Sequence, residues 1–136
     1  MITPDDPQGR KTAEARSEYW RLAVGENMSF LRLQAHTGRL HQLRVHLAHI
    51  GHAVVGDKIY GPDGNLYLKF IVEGWTEEHQ RILGLPRHAL HAHEMSFPWN
   101  GEERTFTVPL PEDMREMALQ FSIHDLDEVN SPNGAN

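Results

Sequence analysis

The stretch Thr37-Gly38-Arg39-Leu40-His41-Gln42-Leu43-Arg44-Val45-His46-Leu47 decides how this chain reads. Placed on a helix at about 100° per residue, Leu40, Leu43, Leu47 and Ile50 share one face. The helix is expected to run from Leu40 to Ile50, with Gly51 as its C-terminal stop. Arg44 falls at the edge of the apolar stripe. An arginine there either extends its head to water or pairs with a buried carboxylate, because a guanidinium does not shed its charge to escape burial. No acid lies within twelve residues of Arg44 on either side. If Arg44 is buried, its partner is expected from a distant segment or from another chain. Gly38, just before the helix, is a candidate for a tight turn with N–H groups free for a phosphate.

Charge around this stretch is uneven. The formal net charge over 136 residues is -6, which by itself argues against a polyanion partner. Yet Met28 to Gly56 contains no Asp or Glu, and it holds Arg32, Arg39, Arg44, His36, His41, His46, His49 and His52. Many of the acids lie in the last quarter, from Glu102 to Glu128. A basic stripe on an acidic body can bind phosphate locally, although the same pattern arises from an uneven scatter of solvated charge.

Working outward, Glu18–Val24 and Met28–Ala35 read as two strands joined at Gly25-Glu26-Asn27. Ala53-Val54-Val55 is a short buried piece, and Gly56-Asp57 and Gly61-Pro62-Asp63-Gly64 are turns. Leu66 to Leu83 is helical in pattern, with Thr76 able to cap a helix whose first turn carries Glu77 and Glu78. Ala89–Phe97 and Arg104–Val108 read as strands, and Pro111–Phe121 as a short amphipathic helix. Together these elements predict an α+β fold, a partial mixed or antiparallel sheet with flanking helices. Residues 1–12 are expected to be a loose leader, 13–121 one domain, and 122–136 an acidic, disordered tail.

Several chemistries find no support. The chain has no cysteine, so disulfide frameworks and thiolate metal sites are excluded. His46 and His49 at i, i+3, and His91 and His93 at i, i+2, have spacings that suit zinc. No acid completes a set in the helix and there is no HExxH, so no metal is expected. There is no GxSxG motif and no P-loop. Asp57 follows a buried strand on a turn, which suits a turn-stabilising carboxylate better than a catalytic one. The N-terminus lacks the apolar region of a signal peptide, and no run approaches the roughly 18 apolar residues of a membrane helix. The expected location is the cytoplasm, with no membrane partner.

The motif Thr37-Gly38-Arg39-x-His41-Gln42-x-Arg44-x-His46-Leu47, followed by Gly51-His52-x-x-x-Gly56-Asp57-x-x-Tyr60-Gly61, resembles the third motif of RluA-type pseudouridine synthases. Arg87-x-x-Leu90-His91-Ala92-x-x-Met95-x-Phe97 resembles that family's Arg-x-x-Leu-His-Ala segment. Ala15-Arg16-Ser17-Glu18-Tyr19 is similar to its Ala-x-Thr-Glu-Tyr strand. The likeness runs, in order, over roughly residues 11 to 110.

The resemblance implies the C-terminal half of a pseudouridine synthase catalytic fold. It implies isomerisation of uridine to pseudouridine in rRNA or tRNA, with no cofactor. An aspartate attacks the target nucleotide, the glycosidic bond breaks, and uracil is reattached through C5, the base being flipped from its stack. By resemblance, Arg44 pairs with that catalytic aspartate and Leu90 lines the uracil pocket. Arg39 and His41 stand at the entrance, as phosphate contacts or pocket-shaping groups, with Gly38 beside them. The family's Arg-Leu-Asp-x-x-Thr-Ser-Gly motif does not occur in this sequence; its only Leu-Asp is Leu126-Asp127. The chain is therefore expected to begin after the catalytic segment, to be inactive alone, and to leave Arg44 without its counter-charge. An exposed sheet edge is expected to drive self-association or to receive a complementing chain. The alternative is a non-catalytic RNA-binding or interaction module derived from the same fold.

Overall fold

A computed structural model describes residues 14–120. The elements run β1 (Ser17–Val24), β2 (Ser29–Ala35), α1 (Gln42–His49), α2 (Asn65–Glu73), α3 (Glu77–Leu83), β3 (Glu94–Trp99), β4 (Glu102–Thr107) and α4 (Glu112–Gln120). The strands pair as two separate two-stranded sheets, β1 with β2 and β3 with β4. The expected α+β class holds. The expected leader and tail lie outside the described residues.

The chain divides into two units. The first comprises residues up to Glu18 and Leu33–Ala89, and so contains α1, α2 and α3. Its buried residues include Leu47, Val54, Leu66, Leu83 and Leu85, together with three polar side chains, Gln42, Asp57 and His79.

Local chemistry sets the helix ends in this unit. His41 has a left-handed φ of 51°, so α1 starts at Gln42 rather than at Leu40. Leu40 falls in the preceding turn and is 85% exposed, and Ile50 is 46% exposed. The four-residue apolar stripe expected on this helix is thus reduced: Leu47 is buried, Leu43 is half-buried, and the two end residues lie beyond the helix. The expected stop at Gly51 is present. Gly51 takes φ +85°, its N–H donates to Ala48 O, and the His52 N–H reaches back to Leu47 O at 2.9 Å. That pair of bonds is a Schellman closure, which satisfies helix carbonyls that would otherwise be orphaned.

Thr76 caps α3 as expected. Its Oγ1 accepts from the His79 N–H, and the Thr76 N–H donates to His79 Nδ1 at 3.2 Å. The capping box therefore uses histidine where glutamate or glutamine is usual. His79 is fully buried, and its Nε2–H donates to Leu66 O at 2.9 Å, which ties α3 to the start of α2.

The second unit comprises Tyr19–Arg32 and the chain from Leu90 onward. The Gly25 N–H donates to Met28 O at 2.8 Å and closes the β1–β2 turn at the expected residues. Ala118 of α4 is buried against Ala23, Met28 and Phe30. β3 and β4 are antiparallel, from Glu94 opposite Thr107 to Trp99 opposite Glu102. They turn on Asn100 and Gly101, at φ 50° and 78°. Positive φ at both central residues gives the tight turn that Asn-Gly favours. β3 starts at Glu94 rather than at the expected Ala89. Just before it, His91 Nε2 and His93 Nδ1 both donate to Val108 O, at 3.0 and 2.7 Å, so side chains satisfy the carbonyl there.

Candidate active-site arginine and its setting

Gln42 joins the start of α1 to the start of β1. It is 6% exposed, yet its Oε1 accepts from Thr37 Oγ1 and the Arg39 N–H, and its Nε2 donates to Arg16 O and Ser17 Oγ. A buried amide with every group used fixes the register of the elements it joins. One turn along α1 from Gln42, His46 Nδ1 pairs with the same Ser17 Oγ at 2.7 Å. Arg44 lies between these two anchors in sequence.

Arg44 is half-buried and paired. Its Nε donates to Asp57 Oδ2 and its Nη2 to Asp57 Oδ1, both at 2.8 Å. The arginine side chain is 11% exposed and the aspartate 0%. The expectation of an unpaired cation is therefore overturned: the counter-charge is in this chain, thirteen residues on. The expected turn role of Asp57 also holds, because Oδ1 accepts the N–H groups of Ile59 and Tyr60 at 3.0 Å each. One carboxylate closes the turn and neutralises the arginine.

Burial raises the Asp57 pKa. The hydrogen bond from Arg44, the two backbone N–H groups and the Arg44 charge more than offset this, bringing it to about 2 from an ordinary 3.8. Arg44 moves the other way, held above its ordinary value first by its hydrogen bond to Asp57. Nearby His88 is pushed down by burial and then by the Arg44 charge.

The loop carrying Asp57 depends on two glycines. Gly56 has φ +81°, and a Cβ there would lie 2.0 Å from Arg87 O. A Cβ on Gly61 would lie 2.1 Å from Asp57 O. Neither contact is tolerable, since both neighbours are backbone. Asp57 is thus held by its own loop, and the Ala89 N–H to Val55 O bond at 2.7 Å secures the strand-like piece before it.

Tyr60 completes the setting. Its ring lies under the Arg44 guanidinium, 5.2 Å from Cζ to ring centroid, and its hydroxyl pairs with His41 Nδ1 at 3.1 Å. The face of an aromatic ring attracts a cation, most of all where water is partly excluded. The bonds to Asp57 use Nε and Nη2, so Nη1 takes no part in them, and 11% of the arginine side chain is exposed. Asp57 holds one edge of the guanidinium and Tyr60 one face, and the edge at Nη1 is not engaged by Asp57.

The other sequence candidates are placed as follows. His41 joins Arg44 through Tyr60 and is exposed. Arg39 is exposed, and its Nε donates to Glu14 O at 3.0 Å. Gly38 is exposed, and a Cβ there would meet nothing within 4 Å. Leu90 is half-buried and is the first residue of the later part of the second unit. Among the described residues no group of three or more His, Cys, Asp or Glu side chains is placed to hold a metal ion, and no helix is long and apolar enough to cross a membrane. The reading of the residues alone missed Asp57 as the arginine's partner and Tyr60 as its platform. The spacing Gly56-Asp57-x-x-Tyr60-Gly61 carried both.

No family model matches the chain. Individual proteins do match it. It is 42% identical over 116 residues to an uncharacterized RNA pseudouridine synthase of Chlorobaculum parvum, covering 83% of this chain and 35% of that protein. It is 45% identical over 92 residues to the ribosomal large subunit pseudouridine synthase D of Vibrio cholerae, covering 65% of this chain and 27% of that protein. It is 37% identical over 117 residues to an uncharacterized RNA pseudouridine synthase of Chloroflexus aurantiacus, covering 85% of this chain and 31% of that protein. Over most of its own length the chain is a homologue of the RNA pseudouridine synthases. Ribosomal large subunit synthases are among those relatives, and the chain spans about a third of the length of the proteins it matches.

Proposed function

We propose that this chain is the C-terminal half of the catalytic domain of an RNA pseudouridine synthase, acting on rRNA or tRNA in the cytoplasm. Arg44 carries this reading, because it is half-buried, fixed and charged, with its Nη1 edge not taken by Asp57. In the proposed reaction that edge receives the aspartate that attacks the target nucleotide. Arg44 orients this carboxylate and holds it ionised. Leu90 packs against the uracil, and Arg39 and His41 meet RNA at the entrance.

The attacking aspartate is not in these 136 residues, so the chain alone is proposed to be inactive. The supporting observation is that Asp57, the one carboxylate on Arg44, is fully buried and already accepts from two backbone N–H groups. A nucleophile so buried and so fully engaged is poorly placed to reach a ribose or a base. Tritium release from RNA labelled at uridine C5 tests the reading. The chain alone is expected to give background release. Release is expected when a separately expressed segment bearing Arg-Leu-Asp-x-x-Thr-Ser-Gly is added. Release from the chain alone would defeat the reading, and Asp57 and Asp63 would be the first positions to mutate.

The same reading includes a partner surface. Met95, Trp99, Phe106 and Val108 on and beside the β3–β4 hairpin are each more than half exposed. An apolar hairpin of this kind favours a complementing segment or a second copy. Light scattering at high concentration is expected to show self-association, and a clean monomer would count against it. The non-catalytic alternative keeps one favourable observation, the exposed Arg39, His41, His49 and His52 within a stretch free of acids. RNA binding that persists while the complemented pair gives no tritium release would favour that alternative.

A further inference from the structure

We infer that Asp57 and Tyr60 are positioning residues, which lock the Arg44 guanidinium so that one edge, at Nη1, is presented to a single carboxylate. This rests on the proposed role of Arg44 and adds what aims it.

An arginine side chain is normally free to sample many orientations. A long side chain carries several rotatable bonds, and fixing them costs conformational entropy. Here two contacts remove that freedom from different directions. The bidentate bond to Asp57 fixes the plane of the guanidinium and occupies the Nε–Nη2 edge. The Tyr60 ring supports one face. Asp57 is itself immobile, buried and held by the N–H groups of Ile59 and Tyr60. Tyr60 is steadied by its hydroxyl contact to His41.

The arrangement also selects what binds. Asp57 already balances the Arg44 charge, so the pair itself is close to neutral. A monoanion with two coplanar oxygens matches the remaining donors on Nη1 and Nη2. A phosphate dianion would have to approach a pair that already contains one carboxylate. The open edge therefore suits a carboxylate, and it suits one that must stay reactive. A bare guanidinium would hold an attacking carboxylate tightly and dull it. A guanidinium shared with Asp57 orients the incoming group with less electrostatic grip.

The test uses the chain as it is, with acetate as the probe and side-chain nitrogen NMR of Arg44 as the readout. Arg44→Lys identifies the signals. In the wild type, Nη1 and Nη2 are expected to be resolved from each other, and acetate is expected to shift Nη1 while leaving Nε unchanged. Merged Nη signals would overturn the inference, as would an acetate response confined to Nε. A response to inorganic phosphate with none to acetate would also overturn it. Tyr60→Leu is expected to merge the Nη signals while the backbone amide spectrum stays folded, and Tyr60→Phe to keep them resolved. Asp57→Asn is expected to merge them too. If that variant does not fold, the wild-type titration and the Tyr60 pair still decide.

A catalytic readout separates this inference from the functional reading. In the complemented pair, Tyr60→Leu is expected to lower kcat roughly tenfold or more with KM for RNA unchanged, the pattern of misdirected rather than weakened binding. A rise in KM alone would overturn the positioning role. If acetate behaves as expected but the complemented pair never releases tritium, the synthase reading fails and the carboxylate clamp stands. If tritium is released but Arg44 shows no locked edge, the clamp fails and the synthase reading stands.

Discussion

The two units bury very different things. The first encloses Gln42, Asp57 and His79, three polar side chains, and each is hydrogen-bonded. The second has β4 exposed along its whole length and β3 with one half-buried residue, Phe97. In the first, buried polar groups specify geometry, because each has one arrangement that satisfies it and a steep cost otherwise. In the second, the hairpin is held by its Asn-Gly turn, by cross-strand pairs such as Phe97 stacked on Phe106 at 5.4 Å, and by the Ser96–Thr105 hydroxyl contact. A two-stranded hairpin of this kind is marginal alone. The contrast separates a part of the chain fixed by buried polar groups from a part whose strands stay largely exposed.

The sharpest way to break that contrast is to remove Asp57. Asp57→Ala leaves the half-buried Arg44 without its counter-charge, and is expected to cost about 2–4 kcal/mol in denaturant unfolding. A loss below about 1 kcal/mol would mean that water neutralises Arg44 and that the pair organises little. Acid attacks the same group reversibly. Because the folded-state value of Asp57 is lowered to about 2 from 3.8, its contribution is complete above about pH 4 and is lost as the pH falls through about 2. The contribution is on the order of 2 kcal/mol, and an acid titration of the Asp57→Asn variant should lack that step.

Thr76→Ala tests the smaller network around His79. Loss of the cap and of one imidazole partner is expected to cost about 1–2 kcal/mol, and it should raise amide exchange in the first turn of α3. The hairpin should respond least. Phe106→Ala removes one partly exposed stacking partner and is expected to change stability by about 0.5–1 kcal/mol. A cost as large as that of Asp57→Ala would show that the hairpin is already fully packed, and it would erase the distinction between the units.

The sequence made some of this legible. The Thr76 cap, the Gly51 stop and the Gly25-Glu26-Asn27 turn were readable because each is a local event governed by a few neighbouring residues. The helix face was less so. A period of 3.6 placed Leu40 and Ile50 on the stripe, but the left-handed His41 and the glycine closure at Gly51 cut the helix inside both. The signal for the β3–β4 boundaries was present in Asn100-Gly101 and would have moved both strands to their observed ends. The demand of Arg44 for a carboxylate was correctly derived from burial and charge. The identity of that carboxylate was not, because it depends on how the loop from Ile50 to Gly61 folds back onto α1. Two close glycine contacts determine that path, and periodicity does not encode them.

Arg44, fixed by Asp57, is proposed to direct a carboxylate supplied from outside these residues. The most direct test is C5 tritium release by the complemented pair with Arg44→Lys in place of the wild-type chain. Lysine keeps the charge but cannot hold Asp57 along one edge and offer a second edge to another carboxylate. The account predicts that release falls by roughly a hundredfold or more while RNA binding is retained. Release at the wild-type rate would contradict it, because charge alone would then suffice and the geometry built around Arg44 would have no catalytic purpose.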